Sequence, residues 1–282
     1  TTAELIAYPV SDEDTGSQLW LFLIAAVIVA LTPLWGKIKI NKPLFGKQKE
    51  GVRNFLTRSS MLAAIILVCV LGYDKASREF FAVQKLFFRE KYEDVTKYIT
   101  RHPTSNRLTI YLNNIALSET GRLNDRLFWF PQSPDGQSLF LKWEMYEEVL
   151  KIGGYFYYAT GMVNEAHRWA FENMVIRGIA PEDLKMLIKT EIINGNYGMA
   201  AKYNSKLKHT LFYRKDAVRF ENIFKSEKLI DVDPELSLKR KEKIIGDFFS
   251  ITDNPYINIE RAFSADSLNR RIFDYHMAYL MI

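Results

Sequence analysis

The chain has 282 residues and a net charge of +5, and 48% of its residues are hydrophobic and 14% aromatic. This composition excludes an intrinsically disordered chain, and the length allows one or two domains. The charge is uneven, because residues 1–18 contain four acidic and no basic side chains, whereas residues 36–58 contain seven basic side chains and one Glu. The rest of the chain is close to balanced, so we predict no nucleic-acid-binding surface.

Two apolar runs predict an N-terminal transmembrane helical hairpin. The first, at 19–35, is uncharged and approaches the roughly 20 residues that cross a bilayer. Trp20 and Trp35 lie at its ends, where interfacial aromatic residues are expected. The second, at 59–73, is shorter and reaches spanning length if the Arg58 side chain extends to the interface. An interfacial or buried helix is the alternative for this second run.

The loop between the two runs predicts the orientation of the hairpin. Residues 36–54 are rich in Lys and Arg, and such loops stay on the cytoplasmic side of a membrane. The acidic segment 1–18 and the body at 74–282 then face the opposite side, which is the periplasm in a bacterium with two membranes. We therefore predict a bacterial inner-membrane protein that contacts lipid through residues 19–73. Binding of the basic loop to anionic lipid is compatible with this topology.

The body of the chain shows a helical pattern. From residue 74 onward, apolar residues recur at steps of three and four, and no long stretch alternates apolar and polar residues as a strand does. The predicted class is therefore all-α. Breaks rich in Pro, Gly and Asn divide the body, and residues 129–140 form the longest predicted loop. The predicted helices lie near 76–101, 104–119, 122–130, 142–160, 162–177, 181–194, 197–209, 211–228, 235–251 and 265–282.

Three of the predicted helix pairs share a register. Each pair has a glycine at its internal turn, and these glycines, Gly121, Gly161 and Gly195, are 40 and 34 residues apart. A period of 34 residues is that of tetratricopeptide repeats (TPRs). The middle pair resembles this family over the full pattern, with Gly154, Tyr157, Gly161, Val163 and Ala166. The third pair matches at Gly195, Tyr197 and Ala200, and the first has Gly121 and Leu123 but Arg126 where alanine belongs.

The resemblance implies a TPR-like α-α solenoid over residues 74–282. In such a solenoid small side chains meet where two helices cross, so Gly154 is expected to pack against Ala166. Glycine inside a helix costs roughly 1 kcal/mol relative to alanine, and this close packing has to offset that cost. Phe156 and Tyr157 are predicted core residues.

A closer resemblance is carried by the apolar runs together with two segments of the body. These segments are YLNNIALSETGRLNDRLFWFPQS at 111–133 and NEAHRWAFENM at 164–174. With them, the chain resembles an uncharacterised family of Bacteroidetes membrane proteins that have a C-terminal repeat tail. This resemblance implies a topology and a fold but no mechanism, and it implies that the chain is part of a longer protein.

The residue types that carry catalysis or bind metals form no recognisable motif. The four histidines are scattered one per element, and Cys69 is the single cysteine. The sequence has no HExxH, no GxSxG and no phosphate-binding loop. We predict no catalytic residue, no metal site, no cofactor and no enzymatic activity in this chain.

The repeat register also assigns a candidate groove for a protein or peptide partner. Its inward-facing positions combine aromatic rings, which serve as apolar anchors, with ammonium groups, which attract carboxylates. The groove residues are Tyr111, Ile115, Lys151, Tyr155, Tyr158, Lys185 and Lys189. The alternative is that the lysines are ordinary solvated residues and that the tyrosines are covered by the neighbouring repeat.

The sequence thus predicts a membrane-anchored, periplasm-facing, TPR-like scaffold that mediates protein–protein interaction in its concave groove. The alternative is an accessory domain of a larger polytopic membrane enzyme or transporter whose active part lies upstream. Further upstream spans with buried ionisable residues would favour that alternative. A soluble α-helical protein with two buried core helices is a third possibility.

Overall fold

A computed structural model describes residues 58–63, 65–66, 75–144, 147–224, 227–244 and 254–282. The acidic segment, the first predicted span and the basic loop lie outside these residues, as does most of the second predicted span. In the second span, residues 59–63, 65 and 66 are described and are helical. No helix in the described ranges has the length and apolarity that a membrane crossing requires. The chain divides into two compact units, and the larger one includes Ala76–Ile282.

The described part of this larger unit consists of helices and loops, without a strand. The all-α prediction is therefore confirmed for these residues. The helices are α1 (Lys75–Phe88), α2 (Tyr92–Arg101), α3 (Arg107–Glu119), α4 (Leu123–Arg126), a 3-10 helix (Leu127–Trp129), α5 (Glu147–Ala159), α6 (Val163–Arg177), α7 (Pro181–Asn194), α8 (Tyr197–Leu207), α9 (Arg214–Ile223), α10 (Glu227–Val232), α11 (Pro234–Lys241), α12 (Tyr256–Ala265) and α13 (Arg270–Met281).

The three predicted turn glycines all lie between paired helices. Gly121, Gly161 and Gly195 have φ angles of 68°, 85° and 81°. Because an L-residue with a Cβ is strained in this left-handed region, glycine is the residue that ends each first helix at low cost. The helices on either side pack on each other, α5 on α6 and α7 on α8, and α6 also packs on α7. The unit is therefore repeat-like, as the register predicted.

The first pair departs from the predicted register after its turn. Its second helix, α4, has only four residues and continues as the 3-10 helix, although a helix was predicted over 122–130. Phe130 is extended, with φ −125° and ψ 144°, and Pro131 follows it. A residue before proline is disfavoured in the helical region, which explains why the helix stops here. The extra residues of this pair lie in the loop that leads to α5.

The crossing of α5 and α6 depends on two adjacent glycines. A Cβ on Gly154 would lie 2.8 Å from Cβ of Trp169 and 3.3 Å from the carbonyl oxygen of Ala166, so the predicted close approach is confirmed. A Cβ on Gly153 would lie 2.1 Å from Cζ3 of Trp169, a contact that the sequence reading missed. Phe156 is buried in the core beside them, as predicted, and so is Tyr157.

Other predicted helix boundaries are also wrong, and two of them show different reasons. The helix expected over 76–101 is broken into α1 and α2, because Glu90 adopts a left-handed backbone with φ 59°. No local signal marks that break. The predicted helices over 235–251 and 265–282 leave a break around Pro255, whereas α12 begins just after this proline. Proline tolerates the start of a helix well, because the N–H that it lacks has no partner there.

The central helix of the unit is α7. All its residues from Pro181 to Ile193 are buried, and it packs against α6, α8 and α11. Pro181 lies in its first turn, followed by Glu182 and Asp183, which suit the positive end of the helix dipole. Because α7 is covered on every side, its lysines have to be accommodated inside the fold.

Candidate functional site

Two of the predicted groove residues lie in the core. Tyr111 and Ile115 on α3 are 0% and 2% exposed, since α3 packs directly on α5. The Tyr111 hydroxyl donates a hydrogen bond to the carbonyl oxygen of Gly153 at 2.9 Å and accepts one from the N–H of Phe156 at 3.2 Å. Instead of lining an open groove, these residues fix α3 against the glycine-containing turn of α5.

The other five predicted groove residues come together where α5 and α7 meet the end of α1. Tyr155 packs edge-on against Phe87, with ring centroids 5.1 Å apart. The Lys185 ammonium group donates to the carbonyl oxygen of Phe88 at 3.1 Å, and Nζ of Lys151 lies 6.0 Å from the Phe88 ring centroid. The last turn of α1 thus occupies the place where an extended peptide was expected.

The remaining two residues, Tyr158 and Lys189, belong to a lysine cluster, which comprises Lys185, Lys189, Glu90, Glu235 and Tyr158. Nζ of Lys189 lies 2.6 Å from Oε1 of Glu90 and 2.5 Å from Oε1 of Glu235. The Tyr158 hydroxyl donates to the same Glu235 oxygen at 3.0 Å, and Lys185 lies 3.5 Å from Glu90. The carboxylates come from the α1–α2 turn and from α11, the lysines from α7 and the tyrosine from α5, so the cluster joins four parts of the unit.

The electrostatics of the lysine cluster favour its charged state. The nearby Lys189 ammonium group lowers the pKa of Glu90 from 4.5 to about 2, against the opposing effect of burial. Burial on its own would lower the pKa of Lys189, but Glu235 and Glu90 outweigh it and raise that pKa above its ordinary value. Burial, together with Glu235, raises the pKa of the Tyr158 hydroxyl. The ammonium group is therefore already matched by carboxylates of the same chain.

The space left in this region is too small for a peptide. The cavity beside the lysine cluster has a volume of about 20 Å³ and is lined by side chains of α1, α2, α5 and α7 and by Glu90 between α1 and α2. One water molecule needs roughly 10–15 Å³ on this measure, so the cavity has room for a single water. Partner binding by the predicted groove residues stays a prediction, and in this structure they serve the packing of the chain itself.

A second buried charge lies on α11, at Lys239. Its ammonium group donates to Oε1 of Glu119 at 2.8 Å and to the carbonyl oxygen of Ala159 at 3.0 Å. The other oxygen of Glu119 pairs with Arg271 at 2.9 Å. Burial lowers the pKa of Lys239, and Glu119 opposes this effect. Sequence reasoning missed Lys239 because SLKRKEK, residues 237–243, has the pattern of a solvated helix end.

An open cleft lies between α2 and the segment that follows α4, and we call it the Trp129 cleft. It has two adjoining compartments of about 340 Å³ and 250 Å³, and Thr100 and Trp129 line both. The larger compartment is lined by Ile99, Thr100, Pro103, Thr104, Ser105, Trp129, Phe130 and Pro131. The smaller is lined by Glu93, Thr96, Lys97, Thr100, Arg101, Leu117, Thr120, Arg122, Arg126 and Trp129.

The backbone after α4 holds Trp129 on the surface. Leu127 and Phe130 are buried on either side of it, whereas Phe128 and Trp129 are 62% and 66% exposed. The Arg126 guanidinium carbon lies 4.7 Å from the Trp129 ring centroid, a cation–π contact that stabilises the orientation of the ring. Tryptophan and arginine are the residue types that most often anchor protein interfaces.

The smaller compartment carries an excess of positive charge. Its lining includes four basic side chains and one acidic side chain. The acidic one, Glu93, lies 3.7 Å from Arg122 in an exposed pair. Within the described ranges, Lys97 and Arg101 are exposed and form no ion pair. The compartment can therefore attract carboxylates.

Sequence reasoning placed Trp129 in a loop and gave it no role. The available signal was FWFPQ at 128–132, where adjacent aromatic residues precede a proline outside the repeat pattern. That signal does not show which ring is buried, because the 3-10 turn buries Leu127 and Phe130 and leaves the two residues between them exposed.

Comparison with known families gives one match. A family model described as "Family of unknown function (DUF6057)" matches residues 1–282. The chain belongs to DUF6057. Comparison with curated proteins found no match, and comparison with solved structures found none either. The predicted membership of an uncharacterised family is thus confirmed, whereas the TPR and Bacteroidetes assignments stay predictions.

Metal and catalytic sites were predicted to be absent from this DUF6057 chain. In the part that the structure describes, no group of three or more His, Cys, Asp or Glu side chains is placed to hold a metal ion. The wider predictions of no cofactor and no enzymatic activity stay predictions.

Proposed function

We propose that this DUF6057 chain is a membrane-anchored scaffold whose helical unit faces the periplasm and binds a protein partner through the Trp129 cleft. The observation that carries the proposal is the pair of exposed rings, Phe128 and Trp129, beside two open compartments. Single exposed apolar side chains are ordinary on protein surfaces, whereas exposed aromatic rings that border an open cleft are typical of binding surfaces.

The lysine cluster supports this choice of surface, because its ammonium groups already have partners within the chain. Lys189 has two carboxylate partners, and Lys185 has a backbone carbonyl and Glu90. A peptide entering there would first have to displace α1 and leave a buried charge unpaired, which costs several kcal/mol. The Trp129 cleft is open without such a rearrangement.

Membrane anchoring rests on sequence features. The run at 19–35 is uncharged and has a tryptophan at either end, and the loop at 36–54 is basic. By the positive-inside rule, this arrangement supports a periplasmic position for the helical unit.

The test is site-specific photo-crosslinking with the full chain in its native membranes. A photoreactive phenylalanine derivative replaces Phe128, and the control places the same derivative at Phe212, which is 59% exposed in the connection between α8 and α9. We expect one discrete protein adduct from position 128 that Trp129→Ala abolishes, and no such adduct from position 212. Equal adducts from both positions, or an adduct that does not depend on Trp129, would contradict the proposal.

A further inference from the structure

The two compartments of the Trp129 cleft differ in chemistry. The larger is bounded by Ile99, Pro103, Phe130 and Pro131 around the Trp129 ring, and its volume of about 340 Å³ accommodates a large apolar side chain with its backbone. A proline or an aromatic ring can stack on the exposed tryptophan without any rearrangement of the chain, because the space is already open. This compartment therefore selects an apolar anchor.

The charge of the smaller compartment comes from two basic pairs. Lys97 and Arg101 are four residues apart on α2, so they project from the same face of the helix. Arg122 and Arg126 are also four residues apart, at the start and the end of α4. Glu93 is the acidic residue in the lining, and its exposed pair with Arg122 leaves three basic groups without a carboxylate there.

We propose that the segment bound in the Trp129 cleft is an acidic peptide of a protein partner, with an apolar residue in the larger compartment and carboxylates in the smaller. This inference rests on the proposed function and adds the chemistry of the partner. Because the compartments share Thr100 and Trp129, they adjoin directly. An extended chain advances roughly 3.3 Å per residue, so the acidic residues lie within a few positions of the anchor.

A protein partner fits the cleft better than a nucleic acid does. The apolar compartment is the larger of the two, and charged phosphate groups make no favourable contacts with an apolar surface. Nucleic-acid surfaces extend over long basic stripes, whereas the positive charge here is confined to one compartment.

The experiment measures the binding of short fluorescent peptides to the purified full chain in detergent. The probe has a leucine–proline anchor followed by a run of aspartates, and the matched peptide has asparagines in place of the aspartates. The test variant is Lys97→Glu, Arg101→Glu. The control variant, Lys202→Glu, Lys206→Glu, makes the same change of charge at the same spacing on the exposed face of α8.

We expect the acidic peptide to bind the parent and the control variant equally, and to bind the test variant about tenfold more weakly or worse, which is about 1.4 kcal/mol. The asparagine peptide should bind weakly to all three proteins, and added salt should weaken binding of the acidic peptide. Circular dichroism of both variants checks that the helices are intact.

Several results would overturn the inference. They are equal binding of the two peptides, equal effects of the two variants, no binding of either peptide, or equally good competition by an oligonucleotide that lacks an apolar anchor. Trp129→Ala separates this inference from the proposed function. If that variant loses the partner adduct while the charge reversal changes nothing, the cleft is a partner site but the partner segment is not acidic. If the adduct survives Trp129→Ala, both fail.

Discussion

Gly154 determines how closely α5 approaches α6. Its missing side chain leaves room for Cβ of Trp169, an atom attached directly to the backbone that cannot rotate away. A neighbour that cannot move turns a small added group into a displacement of the whole helix, which is why overpacked cores lose stability.

We therefore expect Gly154→Ala to reduce the free energy of unfolding by roughly 1–3 kcal/mol. The matched control is Gly198→Ala in α8, where an added Cβ would have nothing within 4 Å. There the better helix propensity of alanine should leave stability unchanged or raise it by up to about 1 kcal/mol. Thermal melting of both variants is the measurement, and equal shifts in the same direction would show that the crossing is not packed as described.

Two of the turn glycines, Gly161 and Gly195, share a left-handed backbone conformation but differ in their surroundings. A Cβ on Gly161 would lie 2.1 Å from the carbonyl oxygen of Glu242, whereas one on Gly195 would have nothing within 4 Å. Gly195→Ala should cost about 1–2 kcal/mol for the left-handed conformation alone. Gly161→Ala adds the steric clash and should cost clearly more. Melting temperatures that fall by the same amount in both variants would contradict this difference.

Glu90 makes a stability contribution that depends on pH. Its pKa is about 2 in the folded chain and ordinarily 4.5, so the contribution is present above pH 4.5 and is lost as the pH falls toward 2. Glu90→Gln should lower the melting temperature at neutral pH. The melting temperature of this variant should also change less with pH between pH 4.5 and 2 than that of the parent. If the parent and the variant give parallel curves over this range, the Glu90–Lys189 pair does not stabilise the fold.

The burial of Lys185 and Lys189 could not be predicted from their local sequence. Two lysines one turn apart have the pattern of a solvated helix face, and their partner Glu90 lies almost one hundred residues away in the chain. Burial of a charge depends on which distant carboxylate reaches it, and periodicity carries no such information.

At the scale of helices, the boundaries that were predicted well have local causes. Both ends of α7 match the prediction, since Pro181 opens the helix and Gly195 ends it in a left-handed conformation. The break at Glu90 was missed, because a glutamate in that conformation is held by its tertiary contacts with Lys189 and Lys185. A helix boundary can thus be predicted from the sequence where a proline or a glycine sets it, and not where distant contacts set it.

Glu119 links three helices, since this residue at the end of α3 pairs with Lys239 on α11 and Arg271 on α13. Glu119→Gln should cost about 3–5 kcal/mol, because it leaves the buried Lys239 ammonium group without its carboxylate, while Arg271 keeps its pair with Glu242. The control is Glu221→Gln, which breaks an exposed pair with Lys208 and should cost less than about 1 kcal/mol. Hydrogen exchange should speed up in α11 and α13 only for the first variant. Unchanged hydrogen exchange in α11 and α13 would show that Glu119 does not stabilise the packing of these helices.

At the scale of the whole molecule, the sequence predicted the helical class and the pairing of helices but not the open surface. The groove assigned from the repeat register is filled by the end of α1 and by Glu235 of α11. A repeat pattern describes the contacts inside and between units, and it does not say where the flanking helices pack. The Trp129 cleft arises where the first pair departs from the pattern, so the repeat period does not predict it.

The predicted topology has a direct test in cells. In a Cys69→Ser background, a single cysteine at Lys202 should react with a membrane-impermeant maleimide in intact spheroplasts. A single cysteine at Gln48, in the basic loop, should react only after permeabilisation. The reverse pattern would contradict the periplasmic orientation, and reaction of both sites in intact spheroplasts would contradict the hairpin.

If the Trp129 cleft binds a partner, that partner covers Trp129 in the native membrane. Hydroxyl-radical footprinting compares the oxidation of Trp129 in the purified chain and in native membranes, with Phe212 as an internal reference of similar exposure. We predict that Trp129 is oxidised readily in the purified chain and is protected in native membranes, while Phe212 reacts equally in both. Equal oxidation of Trp129 in the two preparations would contradict binding of a partner at this cleft.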